Sequence, residues 1–112
     1  MKETRMIKVY QIQLTDEEIA IVNSDGEYTP RIQAFFDRQF DSTFKPSNFE
    51  YYTHVATVDT DDMQEAFRLM NLWDNPEAVQ KVTPRCASMS VGDILDVDGR
   101  LYRCASWGFA SF

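Results

Sequence analysis

A chain of 112 residues, of which 44% are hydrophobic, is long enough to bury its own core, and we predict one domain over residues 1–112. The formal net charge of -7 is spread over both halves of the chain, so most of the surface would repel nucleic acid. No apolar run approaches the roughly 18 residues of a membrane span, and the first residues lack the apolar segment of an export signal. We therefore expect a soluble protein of the cytoplasm.

The chain opens with a predicted strand and a short helix. Residues 6–14 alternate apolar and polar side chains imperfectly, but their β-branched and aromatic content favours a strand. Thr15 is followed three residues later by Glu18, which is the pattern of a capping box, in which each side chain bonds the backbone of the other residue. This pattern predicts a helix over residues 16–22.

A second helix, a loop and a strand complete the first half. Thr29 and Pro30 supply an N-cap and a proline at the first helical position, and an apolar stripe extends the predicted helix to about Phe40. Residues 41–48 contain proline and small polar side chains, which are typical of a loop. Residues 49–58 place apolar side chains on both faces of a strand, so we predict that this strand lies inside the sheet.

The second half begins with the best-defined predicted helix. Thr60 stands where an N-cap is expected, and Asp61 and Asp62 follow it, where the helix dipole favours negative charge. The predicted core stripe comprises Met63, Ala66, Phe67, Met70 and Trp73, and the side chains predicted to face water are Asp61, Asp62, Gln64, Glu65 and Arg68. Pro76 predicts a further short helical turn that extends to about Val82. An extended segment follows, because Pro84 disfavours helical backbone in the residue before it.

A β-hairpin is predicted near the end of the chain. Asp98 and Gly99 are typical of a two-residue type I' turn, in which both central residues need a positive φ. In that register one face carries Leu95, Val97, Tyr102 and Cys104, and we predict that this face belongs to the core. The other face is mixed and carries Ile94, Asp96, Leu101, Arg103 and Trp107. These elements together predict an α+β fold with an antiparallel or mixed sheet of three to five strands and two or three helices mainly on one face.

Catalytic and metal-binding patterns are weak. His54 is the single histidine and lies in the middle of a predicted strand. The first alternative function is a ligand-binding module or an enzyme that uses His54 with Asp59 or Asp93. The acidic clusters lack the glutamate that an EF-hand loop needs at its twelfth position. Cys86 and Cys104 lack metal-finger spacing and are expected to be free, buried thiols. We therefore predict a protein without enzymatic activity, cofactor or metal.

Surplus aromatic side chains indicate a protein-binding surface. Phe, Tyr and Trp make up 13% of the chain, more than the predicted apolar stripes use, and aromatic residues inside an acidic rim are typical of binding surfaces. The candidate surface residues are Tyr51, Asp59, Asp61, Asp62, Glu65, Trp107 and Phe109. We predict that they contact a bacterial host or phage protein. A more specific form of this hypothesis is that the protein mimics DNA and occupies a basic groove on its partner. Homo-oligomerisation is left open.

A weak nucleic-acid interface is the second alternative. Arg85, Arg100 and Arg103 would form a local basic patch with Tyr102 and Trp107 as stacking partners. Such a patch would have to overcome the net negative charge of the whole chain, so nucleic acid is an unfavourable partner.

Two longer segments resemble a known family. The segment YYTHVATVDTDDMQEAFRLMN, followed by SMSVGDILDVDGRLYRCASWGF, is similar to the YodL-like small proteins of bacteriophages, plasmids and other mobile elements. In that family an H-V-A strand leads into a helix with an acidic start, and an S-x-S-V-G-D hairpin closes on an aromatic-G-F end. The resemblance covers residues 51–109. It implies a mobile-element protein of a bacterial cytoplasm, in a family mostly of unknown function, and it supplies no catalytic residues.

Overall fold

A six-stranded antiparallel sheet organises the computed structural model, which describes residues 6–112. Residues 1–5 of the predicted domain lie outside the described residues. The helices and strands are, in chain order, β1 (Ile7–Gln11), α1 (Asp16–Asn23), α2 (Pro30–Asp37), β2 (Thr53–Val58), α3 (Met63–Leu72), β3 (Val79–Lys81), β4 (Ile94–Val97), β5 (Arg100–Cys104) and β6 (Phe109–Ser111). Two 3-10 helices precede β2 and β3 and span Pro46–Tyr51 and Pro76–Ala78.

The strands lie in the order β3-β2-β1-β4-β5-β6, and every neighbouring pair is antiparallel. The predicted α+β class is confirmed. The sheet has six strands instead of three to five because residues 79–81 and 109–111 also pair. Strand β2 is paired on both sides, as predicted for a strand inside the sheet. Among residues 6–112, no helix combines the length and the apolar character that crossing a membrane requires.

Capping side chains place the first two helices. The Glu18 N–H donates to Thr15 Oγ1 at 3.1 Å and the Thr15 N–H donates to Glu18 Oε1 at 3.0 Å, which confirms the capping box. Thr29 caps α2 as predicted. The second helix ends at Asp37 and not at Phe40, because the Arg38 carbonyl accepts two hydrogen bonds from Arg103 in place of a further helical bond.

Three further predicted boundaries or elements are wrong, and each has a local cause. The strand predicted from residue 49 begins at Thr53, because Pro46 opens a 3-10 helix. The N-cap of α3 is Asp62 and not Thr60: the Asp62 carboxylate accepts from the Gln64 N–H at 2.9 Å. Residues 79–81 form a strand instead of a helical turn, because they pair with β2.

The C-terminal hairpin has the predicted register. Asp98 and Gly99 have φ values of 54° and 86°, as a type I' turn requires, and Leu95 pairs with Tyr102. Trp107 does not join the second hairpin face, since β5 ends at Cys104 and Trp107 lies in the loop before β6.

One face of the sheet packs against α3 and forms the core. Its buried members are Ile7, Val9, Val55, Ala56, Val58, Ala66, Leu69, Met70, Val79, Met89, Leu95 and Cys104. Ala66 and Met70 of the predicted helical stripe are buried, whereas Phe67 is 38% exposed and its place toward the sheet is taken by Leu69. Burial of these side chains supplies the main favourable term in folding.

The other face of the sheet is covered by the chain between α2 and β2. The Tyr10 ring lies 5.0 Å from the Phe49 ring, and Arg103 donates to the Arg38 carbonyl from Nε at 3.1 Å and from Nη2 at 2.9 Å. Helical segments therefore cover both faces and not mainly one, because Tyr10 and Ile94 present apolar surface on this side as well.

Candidate protein-binding groove

A groove lies between α3 and the β5–β6 hairpin. Its volume is about 320 Å³. Gln64 and Phe67 form the wall on α3, and Cys104 and Phe109 line it from the sheet. Phe67 and Gln64 stand three residues apart and therefore lie on the same side of the helix. The groove thus combines an apolar floor with a partly polar helical wall.

Trp107 lies in the tight loop that joins β5 to β6, between Ser106 and Gly108, which both line the groove. The Ala105 N–H donates to the Gly108 carbonyl at 2.9 Å, and Gly108 has a φ of 74°, which a residue with a side chain rarely adopts. This closed loop leaves Trp107 95% exposed. A tryptophan that contributes almost nothing to the core and stands beside an apolar groove is the kind of residue that dominates protein interfaces.

The beginning of α3 adds negative charge on the same side of the molecule. Asp61 and Asp62 are exposed and directly precede the first helical turn, which contains Gln64 of the groove wall. Glu65 differs, because it forms an ion pair with Arg68, and the hydrogen bonds from Arg68 lower the pKa of Glu65. The acidic character near the groove therefore comes from the two aspartates more than from Glu65.

The structure distributes the seven predicted surface residues over more than one place. Phe109 lines the groove, Trp107 lies between two residues that line it, and the acidic members belong to the start of α3 or to the segment before it. Tyr51 lines a different cavity of about 420 Å³, together with Thr15 and Thr29 at the starts of α1 and α2. Phe67 was predicted as part of the apolar stripe of α3 and Gln64 as facing water, and neither was among the seven candidate residues. Their spacing of three positions, which places them on one side of the helix, was the available signal.

His54 packs as a structural residue. Its ring stacks on Tyr10 at 5.3 Å between centroids, and Nε2 lies 3.0 Å from the Ala56 carbonyl and 3.1 Å from Thr57 Oγ1. Within residues 6–112, no three His, Cys, Asp or Glu side chains are grouped as metal ligands. Asp93, the carboxylate named with His54 in the first alternative function, is buried and bonded elsewhere.

The Asp93 carboxylate fastens the loop before β4 to the sheet. It is 2% exposed, and its Oδ2 accepts from Gln11 Nε2 at 2.9 Å and from the Ser90 N–H at 3.0 Å. Burial raises its pKa to about 6, although these two hydrogen bonds and the charge of Arg38 act in the opposite direction. The S-V-G-D motif is therefore a structural corner in this chain. The sequence signal for this corner is an aspartate that stands between a glycine and an apolar strand.

The arginines of the second alternative function do not form one exposed patch. Arg103 is 3% exposed and binds the Arg38 carbonyl and the Asp41 carboxylate. Arg85 pairs with Asp16 at 3.2 Å. The charge available for nucleic acid at this place is accordingly reduced.

The two cysteines are free thiols, as predicted. Cys104 is buried, and burial raises its pKa to about 11, so the thiol in the groove is protonated at neutral pH and a poor nucleophile. Cys86 is only half-buried, because it lies in a loop after β3. This segment is not extended as predicted: the Cys86 N–H donates to the Thr83 carbonyl at 3.3 Å and closes a turn over Pro84.

Neither a family model, a curated protein nor a solved structure matches this chain. The relationship to YodL-like proteins therefore stays a prediction that rests on the motifs quoted above. The function has to be argued from the groove and the charges around it.

Proposed function

We propose that the protein is a phage or mobile-element accessory protein that binds a basic host or phage protein in the bacterial cytoplasm. Binding takes place through the groove between α3 and the β5–β6 hairpin. The observation that supports this proposal is Trp107, which is 95% exposed beside a groove lined by Phe67 and Phe109. Burying a tryptophan and the neighbouring rings at an interface removes a large apolar area from water.

The acidic residues at the start of α3 favour a partner with positive charge. Asp61 and Asp62 lie next to the first turn of the groove wall, and the whole chain carries a net charge of -7. Complementary charge mainly accelerates association and disfavours wrong partners, while the buried aromatic residues determine how long the complex lasts. Binding should therefore weaken at high salt, because salt screens the charges, but it should not disappear, because the aromatic contacts remain.

The experiment is affinity capture from a bacterial lysate with tagged protein at low and at high salt. Wild type is compared with Trp107→Ala and with Phe40→Ala, which removes another exposed aromatic ring outside the groove. We expect wild type and Phe40→Ala to enrich the same basic protein, and Trp107→Ala to lose it. Equal enrichment by Trp107→Ala would contradict the proposal.

A second pair of substitutions separates groove binding from mimicry of DNA. Asp61→Asn with Asp62→Asn removes two charges, and asparagine at position 62 still serves as an N-cap, so the start of α3 is kept. Groove binding predicts a slower association and a weaker salt dependence. Complete loss in this double variant, together with full binding by Trp107→Ala, would favour a DNA mimic instead.

A further inference from the structure

Strand β6 leaves hydrogen-bonding groups of its backbone unpaired at the edge of the sheet. In the described part of the chain β6 pairs only with β5. The Ala105 N–H donates to the Gly108 carbonyl and the Phe112 N–H donates to the Leu101 carbonyl, so pairing alternates along the strand. The N–H and C=O groups of Ala110 consequently point toward β5. Those of Phe109 and Ser111 point away from the sheet.

The two edge strands are both three residues long, but the edge at β3 carries a charged residue and has flanking prolines, whereas β6 has neither. Strand β3 contains Lys81, whose ammonium lies 4.7 Å from the Trp73 ring, and Pro76 and Pro84 stand on either side of the strand. Charged residues and prolines are the usual means by which edge strands avoid unwanted partners. Residues 109–111 include no charged residue and no proline. This edge is therefore suited to accept another strand.

The groove lies where side chains of such a strand would point. Phe109 pairs with Cys104, and both side chains lie on the α3 face of the sheet. On an added strand, the residue opposite Phe109 would project to the same face, because paired residues share a face. That residue would enter the space beside Phe67 and Gln64.

The charge near this edge decides which strand fits. A second copy of the chain would bring another net charge of -7 and another pair of aspartates to the same place. A basic segment would instead meet Asp61 and Asp62 with complementary charge. Resting on the function proposed above, we infer that the partner docks as an extended, basic segment, which adds a strand to the outer edge of β6 and places an apolar side chain in the groove.

The first test uses a synthetic peptide of sequence KKTVTVTKK, with EETVTVTEE as the control of equal length and opposite charge. Each peptide is titrated into the protein, and amide hydrogen exchange is followed by NMR. We expect the basic peptide to slow exchange at Phe109 and Ser111 by about tenfold or more, with little change at Ala110, whose N–H already pairs with β5. Absence of saturable binding, or binding without this protection, would overturn strand addition.

A matched pair of variants tests the same edge. Ser111→Pro removes an N–H that points outward, which edge strands tolerate, and Ser111→Ala keeps it. We expect Ser111→Pro to weaken binding of the basic peptide by about tenfold or more at an unchanged unfolding temperature, and Ser111→Ala to bind as wild type does. Equal binding by the proline variant, or a dimer of the protein alone with protected Phe109 and Ser111 amides, would contradict the inference.

The two proposals fail in different ways. If Trp107→Ala abolishes capture from the lysate while Ser111→Pro has no effect, the partner uses the groove without adding a strand. If Trp107→Ala captures the same protein as wild type, the proposed function itself is wrong. Protection of Phe109 and Ser111 by the peptide would then report strand addition alone.

Discussion

Replacing Asp93 by asparagine should stabilise the protein at neutral pH. The carboxylate is 2% exposed, and burial raises its pKa from the ordinary 3.8 to about 6. Because the folded state binds this proton more tightly than the unfolded state, protonation favours folding, and stability falls as the pH rises through about 6. The ionised carboxylate therefore costs the folded state about 3 kcal/mol at neutral pH. Asparagine keeps an oxygen acceptor for Gln11 and Ser90 without the charge.

The assay is urea unfolding of wild type and Asp93→Asn between about pH 5 and pH 7.5. Over this range the unfolded carboxyl stays mostly ionised and the folded one loses its proton, so wild type should lose roughly 1 kcal/mol relative to the variant. The difference between the two proteins cancels pH effects that they share. Asp61→Asn, which removes an exposed carboxylate, controls for the loss of one negative charge.

The reasoning would be refuted by a stability difference between wild type and Asp93→Asn that stays constant with pH. It would also be refuted if the difference changed with the opposite sign, with wild type gaining relative stability toward pH 7.5. A constant difference would mean that the hydrogen bonds from Gln11 and Ser90, together with Arg38, cancel the effect of desolvation on the carboxylate, and the opposite sign would mean that they outweigh it.

Four further substitutions test other parts of the structure. Gly92→Ala should lower the free energy of unfolding by about 3 kcal/mol in urea unfolding, because a Cβ at a φ of 96° would stand 2.7 Å from the Arg38 carbonyl oxygen. The control Gly99→Ala, in open space at a φ of 86°, should lower it by only about 1 kcal/mol. Glu18→Ala should cost about 1 to 2 kcal/mol, because the carboxylate bonds both the Thr15 N–H and the Thr29 hydroxyl, and a melting temperature equal to wild type would contradict this. Trp107→Ala should leave stability within about 0.5 kcal/mol of wild type, and a larger loss by calorimetry would show that the ring supports the fold.

Part of the proposed groove was predictable from sequence. The chain contains more aromatic residues than its predicted apolar stripes use, which indicated Trp107 and Phe109. The position of Asp61 and Asp62 directly before a helix indicated the acidic part. Phe67 was predicted as a core residue, since a helical stripe shows only which side is apolar. Its 38% exposure follows from where α3 lies on the sheet, with Leu69 turned toward the core.

Local features of this protein follow from short stretches of its sequence. The capping box of Thr15 and Glu18, the N-cap at Thr29 and the turn at Asp98 depend on residues within a few positions of one another. The strand order, the exposed edge at β6 and the burial of Asp93 and Arg103 depend instead on how distant segments pack together. Those features depend on pairs far apart in the chain, such as Gln11 with Asp93, and local sequence cannot specify which distant segments will meet.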